Sequence, residues 1–208
     1  MKQIEIRNLS VAREGNMIFK NLNLSMEAGR IHAICGNTGS GKSLLLQAIA
    51  GILPESENTI FLNGESVRPA HIAIAQQNAV LYNHMTGMDY LKFLQADNSP
   101  WVRELNNYFN LPLQNSTDHY SNGMLHQLRI MGAFAEQKAV TLIDEPFHSL
   151  DRNNIIYLKK IMQTILGPTR TIITTHSNNQ EALDYAHKIH LLSNGAIKET
   201  ISNELTGR

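Results

Sequence analysis

Residues 36–43 read Gly-Asn-Thr-Gly-Ser-Gly-Lys-Ser, which fits the pattern G-x-x-x-x-G-K-[ST]. No other feature constrains the fold as tightly, because such a loop works only between a strand and a helix. Gly36, Gly39 and Gly41 let the backbone turn its amides inward around an anion. The cradle then runs through Asn37, Thr38, Gly39, Ser40 and Gly41. Lys42 can reach outer phosphates, and the Ser43 hydroxyl can ligate a magnesium ion. A following helix presents unpaired amides and its positive dipole end to the same phosphates.

The flanks supply that context. Residues 30–35 form a short apolar run ending at Gly36, and residues 43–52 place Leu44, Leu45, Ala48 and Ile49 at helical spacing. Alternation at Ile4-Glu5-Ile6 and Leu22-Asn23-Leu24 predicts half-buried strand, and strand-like runs recur at 59–62, 72–75, 140–143, 171–174 and 189–192. Strands alternating with helices predict an α/β domain with a mainly parallel sheet. Residues 85–134 differ, with helical patterns near 90–94, 101–109 and 124–134 and no convincing strand. The expected organisation is one domain over 1–208, with a core of 1–84 and 135–208 and a helical insertion between. Asn194-Gly195 predicts the turn of a last hairpin, after which the chain has no room for an appended regulatory domain.

A second constellation follows the apolar run Val140-Thr141-Leu142-Ile143, which ends in Asp144 and Glu145. Strand C-termini face the ligand crevice in such sheets. Asp144 is then placed to hold the metal through water, and Glu145 to orient or deprotonate an attacking water. The run at 171–174 ends at Thr175-His176, so His176 is also expected to face the crevice.

The order of these pieces resembles the ABC ATPase family over nearly the whole chain. Tyr120-Ser121-Asn122-Gly123-Met124 looks like a variant of the family signature L-S-G-G-Q. Gln77 matches the Q-loop glutamine, Ser149-Leu150-Asp151 the D-loop, and His176 the switch histidine. The resemblance implies a P-loop cassette with an N-terminal antiparallel β part and an inserted helical subdomain, binding ATP and Mg²⁺. Two cassettes, identical or related, would pack head to tail, with Ser121 and Gly123 of one aimed at the γ-phosphate held by the other. Gln77 would sense metal and water, and Asp151 would lie at the shared site. A separate membrane permease would dock on the helical region, with Tyr82, Met85, Met88 and Tyr90 as candidate contacts. The chain would then sit in the cytoplasm, peripheral to a membrane.

Departures from the family pattern are local. Asn122 and Met124 replace a glycine and the glutamine of the signature, as in exporter-type cassettes. Gln127 stands where an arginine usually follows. The usual adenine-stacking aromatic corresponds to Arg13, whose guanidinium plane can still stack on a base. The short form, Arg13 and the Glu145-Pro146-Phe147 step resemble the haem or cytochrome c maturation ATPases, so export is the expected direction.

Composition narrows the alternatives. Eighteen basic residues balance eighteen acidic ones, which argues against a partner gripped through nucleic-acid phosphates. No apolar run approaches the roughly 18–20 residues that span a bilayer, and no signal peptide opens the chain. Cys35 has no cysteine with which to pair. A soluble regulator, either an ABC protein acting on nucleic acid or a non-hydrolysing ATP switch, is the alternative to a transport engine.

Overall fold

The computed structural model describes residues 3–77, 81, 84–167 and 170–203. Two sheets share the work. A four-stranded antiparallel sheet has the order β2 (Asn16–Glu27), β1 (Gln3–Arg13), β4 (Ile60–Leu62), β5 (Glu65–Ser66). A six-stranded sheet has the order β10 (Ala196–Ser202), β9 (Lys188–Ser193), β3 (Ile31–Cys35), β8 (Thr171–His176), β7 (Val140–Ile143), β6 (Ile72–Ala75). Its pairings from β9 through to β6 are parallel, and only the edge strand β10 runs antiparallel. This is the α/β architecture expected from the sequence, including the antiparallel N-terminal part.

β1 and β2 are far longer than the three-residue alternations suggested. The inward positions in β1 are Ile4 and Ile6, then Leu9 and Val11. The step changes parity at Asn8, whose φ is 53°. Asn21, at φ 52°, makes the same correction in β2 between Phe19 and Leu22. Asparagine tolerates this left-handed conformation better than most residues, so a β-bulge resets the period-two pattern without ending the strand.

The helix α1 (Lys42–Ile49) begins with the phosphate loop and lies between the sheets. It stops short of residue 52 because Gly51 adopts a φ of 71°. Leu45, Leu46 and Ile49 are fully buried with Ile4, Phe19, Ile34 and Ile173. Each such side chain contributes roughly 1.5–3 kcal/mol of apolar transfer.

The opposite face of the six-stranded sheet carries the second core. α2 (Gly87–Phe93), α3 (Pro100–Phe109) and α4 (Asn122–Ala135) lie between β6 and β7, and α5 (Arg152–Leu166) follows β7. α2 starts with a capping box, in which Thr86 Oγ1 accepts from the Asp89 amide and Asp89 accepts from the Thr86 amide. Leu91, Val102 and Leu105 join one continuous apolar cluster with Leu128, Ile130, Ile143, Leu158 and Ile172. The helical insertion therefore shares the core of the sheet. Among the candidate docking residues, Tyr90 packs into this cluster beside Gly132, Met85 and Met88 are half-buried, and Tyr82 lies outside the described residues. No helix among the described residues is long and apolar enough to cross a membrane.

Candidate functional site

The phosphate loop is locked to the sheet before anything binds to it. The Gly36 amide donates to the His176 carbonyl at 3.1 Å. A Cβ at Gly36 would lie 2.3 Å from the Leu192 carbonyl oxygen of β9, so only glycine lets the loop leave β3 this closely packed. Gly41 precedes α1 with φ 96°, a conformation that L side chains rarely adopt. Lys42 is buried, and its ammonium donates to the carbonyls of Gly36 at 2.8 Å and Asn37 at 3.3 Å. Glu145 Oε1 lies 3.6 Å from the same ammonium.

A cavity of about 460 Å³ opens beside the loop, lined by Arg13, Thr38, Gly39, Gly41, Lys42, Ser43, Gln77, Glu145, His148 and Ser177 among others. A neighbouring cavity of about 660 Å³ runs along the other flank of the loop, past Asn37, Ser40 and the Asn194-Gly195 turn. Asn194 and Gly195 both have positive φ, at 49° and 71°, as the hairpin turn requires. Arg13 reaches the first cavity from the end of β1 and pairs with Glu55 at 2.6 Å. That hydrogen bond holds the Glu55 carboxyl below its usual range.

Asp144 and Glu145 follow β7 directly, and one threonine organises both. Thr175 Oγ1 donates to Asp144 Oδ1 at 2.6 Å and accepts from the Glu145 amide at 2.9 Å. Both Thr175 and Asp144 are buried. Glu145 adopts φ 47° immediately before Pro146, an unfavourable conformation for a non-glycine residue that persists only where its surroundings enforce it. The enforcing contacts are the Thr175 bond, a hydrogen bond from Ser177 Oγ to Glu145 Oε1 at 2.9 Å, and one from His126 Nε2 to the Glu145 carbonyl at 3.1 Å. Burial lowers the pKa of His126. Arg129 Nη1 donates to the Gln77 carbonyl at 2.9 Å, which fixes the end of the strand–loop connection that carries Gln77.

The Ser43 hydroxyl and the Gln77 side-chain carbonyl line the cavity with Lys42, and the Asp144 carboxylate, held by Thr175, directly precedes Glu145. Oxygen donors of this kind, with no nitrogen or sulfur, suit a hard cation such as Mg²⁺.

His176 is fully buried and lines neither cavity, yet one of its ring nitrogens lies within 4.8 Å of a carboxylate oxygen of Glu145, which does line the first. Successive residues of a strand face opposite sides, so Thr175 turns to Asp144 while Thr174 and His176 turn the other way. The ring is held by Glu181 Oε2 at 3.0 Å from Nδ1, and by Tyr185 Oη at 2.5 Å and Thr174 Oγ1 at 3.1 Å from Nε2.

The remaining candidates line neither cavity, and their segments adjoin. Ser121 caps α4 by accepting from the Met124 amide at 3.2 Å, and Asp151 caps α5 by accepting from the Asn154 amide at 2.9 Å. A Cβ on Gly123 would lie 3.3 Å from Ser149 Cβ, so the 121–123 and 149–151 segments adjoin. None of Ser121, Gly123 or Asp151 lines the cavities beside the chain's own phosphate loop.

Comparison with known proteins returns a consistent answer. The family described as ABC transporter matches residues 19–148. The chain is 32% identical over 213 residues to a sulfate/thiosulfate import ATP-binding protein, CysA, of Mesostigma viride, covering 94% of this chain and 61% of that protein. It is 29% identical over 215 residues to the Fe(3+) ions import ATP-binding protein FbpC 2 of Pectobacterium atrosepticum, covering 95% and 62%. It thus spans about three fifths of the length of these curated relatives. Among solved structures, an ATP-binding subunit of an ABC transporter superposes with a TM-score of 0.83 at 24% identity, covering 96% of this chain and 89% of that one. A bacterial Atm1-family ABC exporter with ATP bound gives 0.80 at 19% identity, covering 97% and 39%. At these identities the two structures speak for the fold.

Proposed function

Because this chain belongs to the ABC transporter family, we propose that it binds and hydrolyses MgATP as the nucleotide-binding subunit of a transport system with a separate membrane permease. The observation that carries this reading is the buried Lys42 ammonium, cradled by the loop carbonyls and 3.6 Å from Glu145, in a cavity that also holds Ser43 and Gln77.

In this reading the loop amides and the start of α1 bind the phosphates, and Lys42 balances their charge. A bound phosphate oxygen takes over Lys42 from the carbonyls of Gly36 and Asn37. Ser43, Gln77 and Asp144 would hold Mg²⁺, which would supply charge neutralisation at the phosphates. Glu145, released from Lys42, orients the attacking water as general base, and its strained backbone limits the directions in which the carboxylate can point. Arg13 stacks on the base. Ser121, Gly123 and Asp151 complete the site of a second cassette, in keeping with their absence from the cavities beside this chain's own loop. The permease docks on the helical region between β6 and β7 and keeps the chain at the membrane surface.

The curated relatives named above are import proteins, so uptake is favoured over the export expected from the sequence. Kinship with the haem or cytochrome c maturation ATPases rests on the sequence resemblance given above, the short form, Arg13 and the Glu145-Pro146-Phe147 step. A second reading, an ATP switch without turnover, is favoured by one observation, the burial of His176.

Two measurements test the proposal. The purified chain hydrolyses ATP and Lys42→Ala abolishes this; full activity in that variant overturns the assignment of the site. A tagged chain isolated from gently solubilised membranes brings down a stoichiometric polytopic protein; recovery only from the soluble fraction overturns the transport role and leaves the ATPase standing.

A further inference from the structure

The surroundings of His176 form a closed polar chain inside an otherwise apolar wall. Tyr185 is completely buried, and its ring meets Phe147 at 5.4 Å and His176 at 5.8 Å between centroids, both edge-on. Phe147 faces His176 at 5.2 Å. Within this wall the hydroxyls of Thr174 and Tyr185 lie 2.6 Å apart.

The Glu181 end of this chain sets the tautomer of a neutral His176. The bond from His176 holds the Glu181 carboxyl below its usual range, so Glu181 is an ionised acceptor at neutral pH. The proton of a neutral His176 therefore sits on Nδ1, and Nε2 offers a lone pair. Tyr185 and Thr174 both lie within reach of that lone pair, at 2.5 and 3.1 Å, and the shorter contact assigns Tyr185 as its donor, with Thr174 donating to Tyr185. In the relay Thr174→Tyr185→His176→Glu181 each member polarises the next. The relay also points Nε2 inward, while the adjacent Ser177 hydroxyl occupies the hydrogen-bonding position on Glu145.

We propose that Tyr185 and Glu181 are positioning residues that hold the His176 ring with Nε2 engaged by Tyr185, so that a bound nucleotide must break the Tyr185–His176 hydrogen bond before Nε2 reaches it. This rests on the reading of His176 as the residue that contacts the terminal phosphate. The consequence is a threshold: the site commits to hydrolysis only when its contacts to His176 exceed those of the relay.

The test separates the relay from the ATPase reading. In the nucleotide-free protein, ¹⁵N–¹H correlation of the imidazole of His176 shows the Nδ1–H tautomer, and it stays so in Glu181→Gln, whose amide oxygen still accepts, but not in Glu181→Ala. An Nε2–H tautomer in the wild type overturns the proposal whether or not the protein hydrolyses ATP. For the functional arm, Thr174→Val/Tyr185→Phe removes both hydroxyls together and leaves His176 Nε2 without a partner in its resting position. Loss of one net hydrogen bond in the resting arrangement raises kcat/KM for ATP about three- to tenfold. The rise disappears when His176→Ala is added. An unchanged kcat/KM, or a rise that persists without His176, overturns the proposal; absence of hydrolysis in the wild type defeats the ATPase reading instead and leaves the tautomer result to decide the relay.

Discussion

Thr175→Val is the sharpest single perturbation of the acid pair, because one hydroxyl serves both members of it. Thr175 Oγ1 gives its proton to Asp144 Oδ1 at 2.6 Å and receives the Glu145 amide at 2.9 Å. Valine keeps the shape, so no cavity is created. What is lost is a donor to a charged, buried carboxylate, worth about 1.5–3 kcal/mol, and the partner of a partly buried amide, worth about 1 kcal/mol or more when orphaned. The sum is roughly 2.5–4 kcal/mol, most of it from the carboxylate bond. For a chain of this length each kcal/mol lowers Tm by roughly 2–4 °C. Urea unfolding at neutral pH gives the free energy directly, with Thr175→Ser as the control that restores the hydroxyl. The same change removes a restraint on the strained backbone of Glu145, so ATP turnover falls while nucleotide binding by the loop persists. A loss of under about 0.5 kcal/mol, the scale of an ordinary surface change, would refute the idea that this hydroxyl organises the pair.

Glu145→Gln leaves nucleotide binding intact and lowers turnover at least a hundredfold; unchanged turnover removes Glu145 from the role of base. Gly36→Ala cannot be accommodated without moving β9, since its Cβ would meet the Leu192 carbonyl at 2.3 Å, and we expect loss of nucleotide binding measured by fluorescent-analogue titration together with a lowered Tm. Arg13→Ala weakens ATP binding several-fold but not inorganic phosphate competition, if its contact is with the base. Stability depends on pH through His32 and His190. These buried rings lie 3.0 Å apart between His32 Nδ1 and His190 Nε2, and His32 Nε2 reaches the Glu27 carbonyl at 2.8 Å. Burial pushes their pKa values down to about 4 and about 3. Both folded values lie below the unfolded value near 6.5, so the unfolded chain takes up protons first as the pH falls. Stability is then complete above pH 6.5 and declines towards pH 4, by roughly 1.4 kcal/mol per residue per pH unit. A urea midpoint that stays flat from pH 7 to 5 would contradict this, and His190→Gln should halve the slope.

The parallel sheet was readable because its strands are apolar on both faces and short. The runs at 72–75 and 140–143 coincide with β6 and β7 to the residue. The N-terminal sheet was readable only in fragments, since the alternation that identifies a strand is broken at Asn8 and Asn21, where the backbone bulges. The hairpin turns at Glu14-Gly15 and Asn63-Gly64 share the positive φ values of Asn194-Gly195, and both pairs carried the glycine that signals such a turn. At the candidate site, the phosphate loop and Glu145, read from their motifs, share a cavity with Gln77, which the family resemblance singled out. The orientation of His176 escaped for a specific reason. It adjoins Thr175 at the end of β8, and the alternation of the strand allows only one of them to face Asp144. That rule was available in the sequence; the partners that decide the matter, Glu181 and Tyr185, come from a later loop whose path no local pattern specifies. His148 and Ser177 line the cavity with no sequence signal beyond their nearness to Glu145 and His176.

The clamping of the phosphate loop bears on how fast, and with what heat, a nucleotide can bind. Gly36 is fixed to β8 and pressed against β9, and α1 is wedged between two sheets, so the anion cradle is formed at folding. A ligand entering it has little loop entropy to remove. Association should therefore run close to the rate set by diffusion and orientation, with differences among nucleotides expressed in how long each one stays. Binding of the phosphates should carry a small heat-capacity change, because little apolar surface is newly covered. Larger thermal signatures would belong to whatever closes over the cradle afterwards.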